Sequence, residues 1–267
     1  MQSKTNTTMK PSKYQGVLTN IREVETSSEK RAYLSASALK AFAKSPNHYL
    51  EYVSRKFEAT PAMMLGTLVH CLILEPNEFS KRYAVAPKVD KRTKLGKDTW
   101  AQFQADNDHL EVLTEGQYDE ALNVVNAAYE NLPELQTIWH EMTCEQTYDA
   151  PLFGYDFRAI IDAEGLDMVW DIKTTQDASP EGFQRQAYNL DYHLQAAVYR
   201  LMTGKRFGWI AIETKAPYNV TKFVQSEDAF QRSAARLGKL VQAFIEWDGS
   251  PQGYTSQEIT LDLPRWA

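Results

Sequence analysis

Asp171 and Lys173, in the stretch WDIKTT at 170–175, put a carboxylate and an ammonium two residues apart. In a strand that spacing places both on one face. Such a pair is either a surface ion pair, which adds little stability, or half of a metal-dependent hydrolytic site. In the preceding segment, YDFRAIIDAE, the residues Tyr155, Phe157, Ala159 and Ile161 form an apolar set, while Asp156, Arg158, Ile160 and Asp162 face the other way. Two antiparallel strands joined through Gly165 would bring Asp162 beside Asp171 and Lys173. Carboxylates packed together away from water repel unless a cation holds them. Magnesium favours oxygen ligands of this kind and retains waters for reaction. Two further signals are ambiguous alone. His70 interrupts an apolar stretch, with Gly66 one turn earlier to let that helix approach a sheet; a histidine so placed is commonly a hydrogen-bonded core residue. Gln195 and Tyr199 lie one turn apart on a helix face, where an ordinary polar edge is the simpler reading.

The elements that must position these groups follow from periodicity and punctuation. Ser35 and Ser37 precede a periodic apolar set at Leu39, Phe42 and Ala43, which marks a helix start. Pro46, after Ser45, opens the next helix. PAMMLGTLVHCLILEP is apolar nearly all round and reads as a buried helix closed by Pro76. Residues 81–97 carry seven Lys/Arg against one acid, with Pro87 and Gly96, and read as a loop. Amphipathic helices follow near 97–109 and 115–131. TCEQTYDA, YDFRAIIDAEG and DMVWDIKTT are short, alternating and separated by turn residues, as in a strand meander. Helical periodicity returns at 180–203, a strand pair brackets Pro217–Asn219, and a last helix covers about 227–248. The order of helices, three strands, helices, two strands and helix predicts one α/β domain with a mixed sheet. Residues 1–30, polar and aperiodic, read as a flexible segment ahead of a single domain at 31–267.

Composition narrows the class. The 267 residues suffice for one large domain with a real core. No apolar run is long enough to span a membrane, and the start of the chain lacks the apolar centre of a signal peptide, so a cytoplasmic protein is expected. The net charge of −6 argues against nonspecific coating of nucleic acid, but leaves room for a local basic track. Cys71 and Cys144 are too few and too far apart for a disulfide framework or zinc site. The chain has no Gly-rich phosphate loop and no G-x-S-x-G elbow.

In order, these pieces carry a resemblance. G-x-x-x-H at 66–70, the strand aspartate of FRAIIDA, DIKTT, and Gln195-x-x-x-Tyr199 in YHLQAAVYR resemble the RecB-like branch of the PD-(D/E)xK nucleases, and within it the RecE (exonuclease VIII) family of phage and prophage recombination exonucleases. LSASALKAFAKSPNHYL, MLGTLVHCLILEP, RTKLGK and IAIETKAPYNV extend the match over about 33–225. The resemblance implies a PD-(D/E)xK core, a central mixed β-sheet flanked by α-helices. It implies that His70, Asp162, Asp171 and the backbone carbonyl of Ile172 bind Mg2+, for which Mn2+ can substitute, with Glu145 as an outer or second-metal group. Lys173 would orient or help deprotonate the attacking water; Gln195 and Tyr199 would position the cleaved strand or support Lys173. Arg92, Lys94 and Lys97 are candidate phosphate contacts, as are Ser35 and Ser37 at a helix N-terminus, where plain capping is the alternative. The implied activity is 5′-to-3′ digestion of double-stranded DNA ends, leaving 3′ tails for a RecT-type annealing protein, by a homo-oligomer, plausibly a ring. The alternatives are another nuclease of the superfamily, single-strand-specific or endonucleolytic, and a catalytically silent module that binds DNA ends.

Overall fold

A computed structural model describes residues 33–55, 58–136, 141–254, 258 and 260. The N-terminal segment 1–30, expected to be flexible, lies outside the described residues. The chain opens with α1 (Ala36–Lys44), α2 (Pro46–Ser54) and α3 (Pro61–Leu74). Each has a hydroxyl cap: Ser35, Ser45 and Thr60 accept from backbone N–H groups of the first turn, and α2 and α3 begin on proline. A single 3-10 turn (Pro76–Glu78) leads into α4 (Phe79–Arg82) and β1 (Tyr83–Val85). Then come α5 (Lys94–Asp106), β2 (Glu111–Leu113) and α6 (Glu115–Asn131), the last entered through a capping box between Thr114 and Gln117.

The second half holds the main sheet: β3 (Thr143–Leu152), β4 (Tyr155–Glu164), β5 (Met168–Thr175), β6 (Arg206–Glu213) and β7 (Val220–Val224), in that spatial order. All neighbours are antiparallel except β5 and β6, which run parallel. That parallel pair needs a crossover, supplied by α7 (Pro180–Asn189) and α8 (Tyr192–Thr203); α9 (Glu227–Glu246) closes the fold. One core lies between the sheet and α1, α2, α7, α8 and α9, built on Phe157, Phe207, Leu194 and Leu237. The other lies between the sheet and α3 and α6, built on Leu68, Ile73, Ile172 and Ile210. The mixed α/β sheet flanked by helices agrees with the sequence expectation.

Two expectations change. Residues 81–97 are not one loop: they hold the end of α4, all of β1 and the start of α5, which Thr93 caps. β1 pairs in parallel with β2, burying Tyr83 and Leu113 in the α3–α6 core. The helix expected over 180–203 is broken at Leu190–Asp191, where Asp191 takes a left-handed φ of 56° and its carboxylate pairs with Arg236.

Gly208 is the tightest point near the centre of the sheet. A Cβ there would lie 2.5 Å from the Trp170 ring and 2.6 Å from the carbonyl oxygen of Phe223. Backbone on β7 cannot yield as a side-chain tip can. Gly208→Ala is therefore expected to destabilise the fold by about 1–3 kcal/mol, read as a fall in melting temperature by circular dichroism.

Candidate metal and phosphate centre

The site is built where β4 and β5 part. Their ladder has rungs at Glu164–Val169 and Ala163–Trp170 and stops there. The next rung would face Asp162 with Asp171. Instead the Asp162 carboxylate enters the gap, and Oδ2 accepts from the Ile172 backbone N–H at 2.8 Å. The carbonyl of Ile172 is also unused by the β4 ladder and accepts from His70 Nε2 at 2.7 Å. With Nε2 protonated, His70 Nδ1 faces Asp162 Oδ2 at 3.5 Å. His70 reaches the gap because α3 lies close to β5: a Cβ on Gly66 would be 3.2 Å from Thr174 Oγ1.

Glu145 of β3 completes the group. It has a left-handed φ of 52° in mid-strand, an uncommon conformation for a side-chain-bearing residue. The β3–β4 register skips the rung between it and Asp162. One ligand atom each from His70, Glu145 and Asp162 lies within 4.8 Å of the others, the one such group among the described residues. Burial, with repulsion from Asp162, pushes the Glu145 carboxyl up to about 7. A carboxylate held this way accommodates a cation, and the two carboxylates, imidazole and nearby carbonyl suit a hard divalent ion such as Mg2+ or Mn2+.

Asp171 stands outside this group. It is 1% exposed and points to the α8 side, where Gln195 Nε2 donates to Oδ1 at 2.9 Å. Oδ2 forms an ion pair with Lys173 Nζ at 2.6 Å, not aligned as a directed hydrogen bond. Strand alternation predicts Asp162, Asp171 and Lys173 together; Asp162 meets His70 of α3 and Asp171 meets Gln195 of α8, while the charge of Asp162 acts on both Asp171 and Lys173. Burial raises the Asp171 carboxyl, opposed by Lys173 and reinforced by Asp162. For Lys173, burial works against the charge, but Asp171 and Asp162 outweigh it and hold the ammonium above the usual lysine range. Lys173 is thus a cation at neutral pH, suited to fix a water or offset phosphate charge rather than take up a proton.

Gln195 also donates to the Tyr199 hydroxyl at 3.2 Å, so Gln195 bonds Asp171, Tyr199 bonds Gln195, and neither bonds Lys173. Tyr192, three residues before Gln195, carries no spacing signal in the sequence. Its ring centroid lies 5.1 Å from Lys173 Nζ and 5.8 Å from Lys40 Nζ, and its hydroxyl accepts from Gln186 Nε2 at 3.2 Å. The cleft over the metal group, a cavity of about 630 Å3, also takes in Glu75 and Arg82, which pair at 2.7 Å.

The expected phosphate contacts are scattered. Ser35 caps α1 through Ala38 N–H, which is plain capping. Ser37 lines a groove beside Lys40. Arg92 pairs with Asp90 at 3.0 Å, and neither it, Lys94 nor Lys97 lines the cleft. Trp170 packs against the α3–α6 core, and Lys91 Nζ sits 3.0 Å from the Trp100 ring centroid. Cys71 and Cys144 are free thiols. No helix among the described residues is long and apolar enough to cross a membrane.

A split antiparallel–parallel sheet carrying D-x-K on one side of the gap and an aspartate on the other defines the PD-(D/E)xK class. The chain belongs to the family described as a PDDEXK-like domain of unknown function (DUF3799), whose model matches residues 35–248. No curated protein matches the sequence. Among solved structures it is similar to one from Eubacterium rectale called a "Putative exonuclease", 13% identical, with 89% of this chain and 86% of that one aligned at a TM-score of 0.57. Another, SSO0001, aligns over 88% and 86% at 11% identity with a TM-score of 0.32, too low to argue from.

The raised Glu145 carboxyl gives a pH test. A metal must displace a proton from Glu145 below about pH 7, so affinity should rise with pH through that value. Titration calorimetry with Mn2+ is expected to show tighter binding at about pH 8 than at about pH 6. Glu145→Gln is expected to weaken binding and flatten the slope.

Proposed function

We propose that this protein is a divalent-metal-dependent exodeoxyribonuclease. It uses Mg2+, with Mn2+ as a substitute, and degrades linear double-stranded DNA from 5′ ends to leave 3′ single-stranded tails. The observation that carries the hydrolytic reading is the gap between β4 and β5, where Glu145, Asp162, His70 and the Ile172 carbonyl meet beside a lysine held cationic by buried carboxylates. A bound divalent ion supplies polarisation of the phosphate and a water of lowered pKa. Asp162 and Glu145 would hold that ion, with His70 and the Ile172 carbonyl at its side. Lys173 orients the attacking water and offsets the charge developing on the phosphate. Asp171 fixes the Lys173 ammonium, and Gln195 and Tyr199 fix Asp171. No group in the cleft calls for a covalent intermediate.

The polarity, the RecT-type annealing partner, a role in strand-annealing recombination, the cytoplasmic setting and a ring-shaped homo-oligomer rest on the resemblance to RecE-type exonucleases. The test is a time course on linear duplex labelled at the 5′ or the 3′ end, beside nicked circular and single-stranded DNA. Early release of the 5′ label, retention of the 3′ label and dependence on added magnesium are the expected results. Cleavage of nicked circles at the same rate as linear duplex would replace the reading with an endonuclease. No metal-dependent hydrolysis of any substrate would remove the nuclease assignment.

A further inference from the structure

A second cavity, of about 550 Å3, opens beside the metal cleft, and the two adjoin at Met63, Leu190 and Tyr192, which line both. Its far wall is the outer face of α1 and α2. Lys40, Lys44 and Arg55 lie along it with His48, and Tyr52 and Tyr192 stand between the cations. Helical spacing sets Lys40 and Lys44 one turn apart on α1 and, beyond the break at Ser45, His48 and Tyr52 one turn apart on α2, with Arg55 as the C-cap of α2. Among the described residues none of Lys40, Lys44 and Arg55 has a carboxylate within ion-pair distance, although Glu51 and Asp191 line the same groove. Asp191 is instead bound to Arg236, and Arg55 rests on the Tyr52 ring with its guanidinium 5.7 Å from the centroid.

Lys40 sits where the groove meets the metal cleft. Its ammonium and that of Lys173 approach the same Tyr192 ring. Burial and the charge of Lys173 lower its pKa, so the structure holds two like charges together on a path that an anion would relieve. A row of unpaired cations interleaved with aromatic faces is what a single polynucleotide strand requires, with phosphates on the charges and bases on the rings. A cavity of this size, within the roughly 300–1,000 Å3 of ordinary ligand pockets, has room for stacked nucleotides.

We infer that the groove lined by Lys40, Lys44, Tyr52, Arg55 and Tyr192 carries a single polynucleotide strand into the metal cleft, Lys40 holding a phosphate next to the one cleaved. This rests on the nuclease reading and sharpens it: the duplex end must be opened before its strand is cut.

The experiment pairs one ester substrate with two nucleic-acid probes, one single-stranded and one duplex. Bis(p-nitrophenyl) phosphate reports the metal cleft without the groove. A fluorescein-labelled oligothymidylate and a blunt duplex of the same length report the groove, by anisotropy in metal-free buffer over a salt series. For Lys44→Glu/Arg55→Glu, the ratio of oligonucleotide cleavage to ester cleavage is expected to fall at least about tenfold. Its log affinity against log salt should flatten by about 0.7 for each phosphate that the groove no longer neutralises. Lys239→Glu, a charge reversal at an exposed position of α9, controls for net charge and should leave ratio and slope as in the wild type. An unchanged ratio and slope in the groove variant, an equal loss in Lys239→Glu, or a loss confined to duplex binding would each overturn the inference. Failure of the wild type to hydrolyse the ester with metal present would instead overturn the nuclease reading, and the salt slope would still decide whether the groove binds a strand.

Discussion

Lys173→Met should lower metal-dependent cleavage by about 10²–10³-fold, the loss typical when one preorganised group facing developing charge is removed. The same change strips the partner from Asp171, which is 1% exposed. Breaking a buried pair on one side costs about 3–5 kcal/mol when the remaining charge cannot escape. Asp171 can escape by taking up a proton, since burial already raises its pKa. The sign follows from that direction. A carboxyl whose folded pKa lies above its unfolded value favours the fold at low pH, and that contribution is lost as pH rises through the folded pKa. Lys173→Met should therefore melt close to wild type in acid and progressively lower as the pH is raised toward 8. Rate measurements on end-labelled duplex, together with melting curves across that range, check both parts. Undiminished cleavage would take Lys173 out of the reaction, and a melting deficit independent of pH would separate it from Asp171.

Asp162→Asn is the second large effect. Asp162 faces the metal group, sets His70 and receives the Ile172 N–H. Asparagine keeps an acceptor for that N–H, whose orphaning would otherwise cost about 1–3 kcal/mol. It also removes one of the charges that repel Glu145 and Asp171. The variant without metal should accordingly melt near wild type. What should vanish is metal binding: Mn2+ affinity is expected to drop beyond the roughly 10–100-fold typical of losing an outer partner. The rise in melting temperature on adding Mn2+ should go with it, since stabilisation by a ligand follows its affinity for the fold. A wild-type-sized shift in Asp162→Asn would mean that the ion binds elsewhere.

What could be read from the sequence was what depends on local pattern. Hydroxyl caps and prolines gave α1, α2 and α3 their starts, and alternation marked β3, β4 and β5. The spacings of Gly66 to His70 and of Asp171 to Lys173 were visible as periodicity. The rest depends on pairing between distant segments. β1 is three residues long and exists only because β2 lies beside it. The break at Asp191 has neither proline nor glycine; the carboxylate of Asp191 is held by Arg236 on α9. Glu145 looks in sequence like any outward strand acid, because the backbone turn that accompanies the missing rung leaves no compositional trace. Lys40 and Tyr192 meet through the packing of α1 against α8, which no single stretch encodes.

The missing rung has a mechanical meaning. β4 is tied to β5 by two rungs near Gly165, whereas β5 follows β6 along its whole length and β3 follows β4 from Thr143 to Leu152. The sheet is therefore two plates joined at one corner. Glu145 and Asp162 belong to the hairpin plate; His70 and Ile172 belong to the other, through α3 and β5. An ion shared among them would act as a clasp between plates, and the free energy of its binding would become stiffness across the seam. Order in the β3–β4 hairpin and occupancy of the metal group would then be one equilibrium seen from two sides.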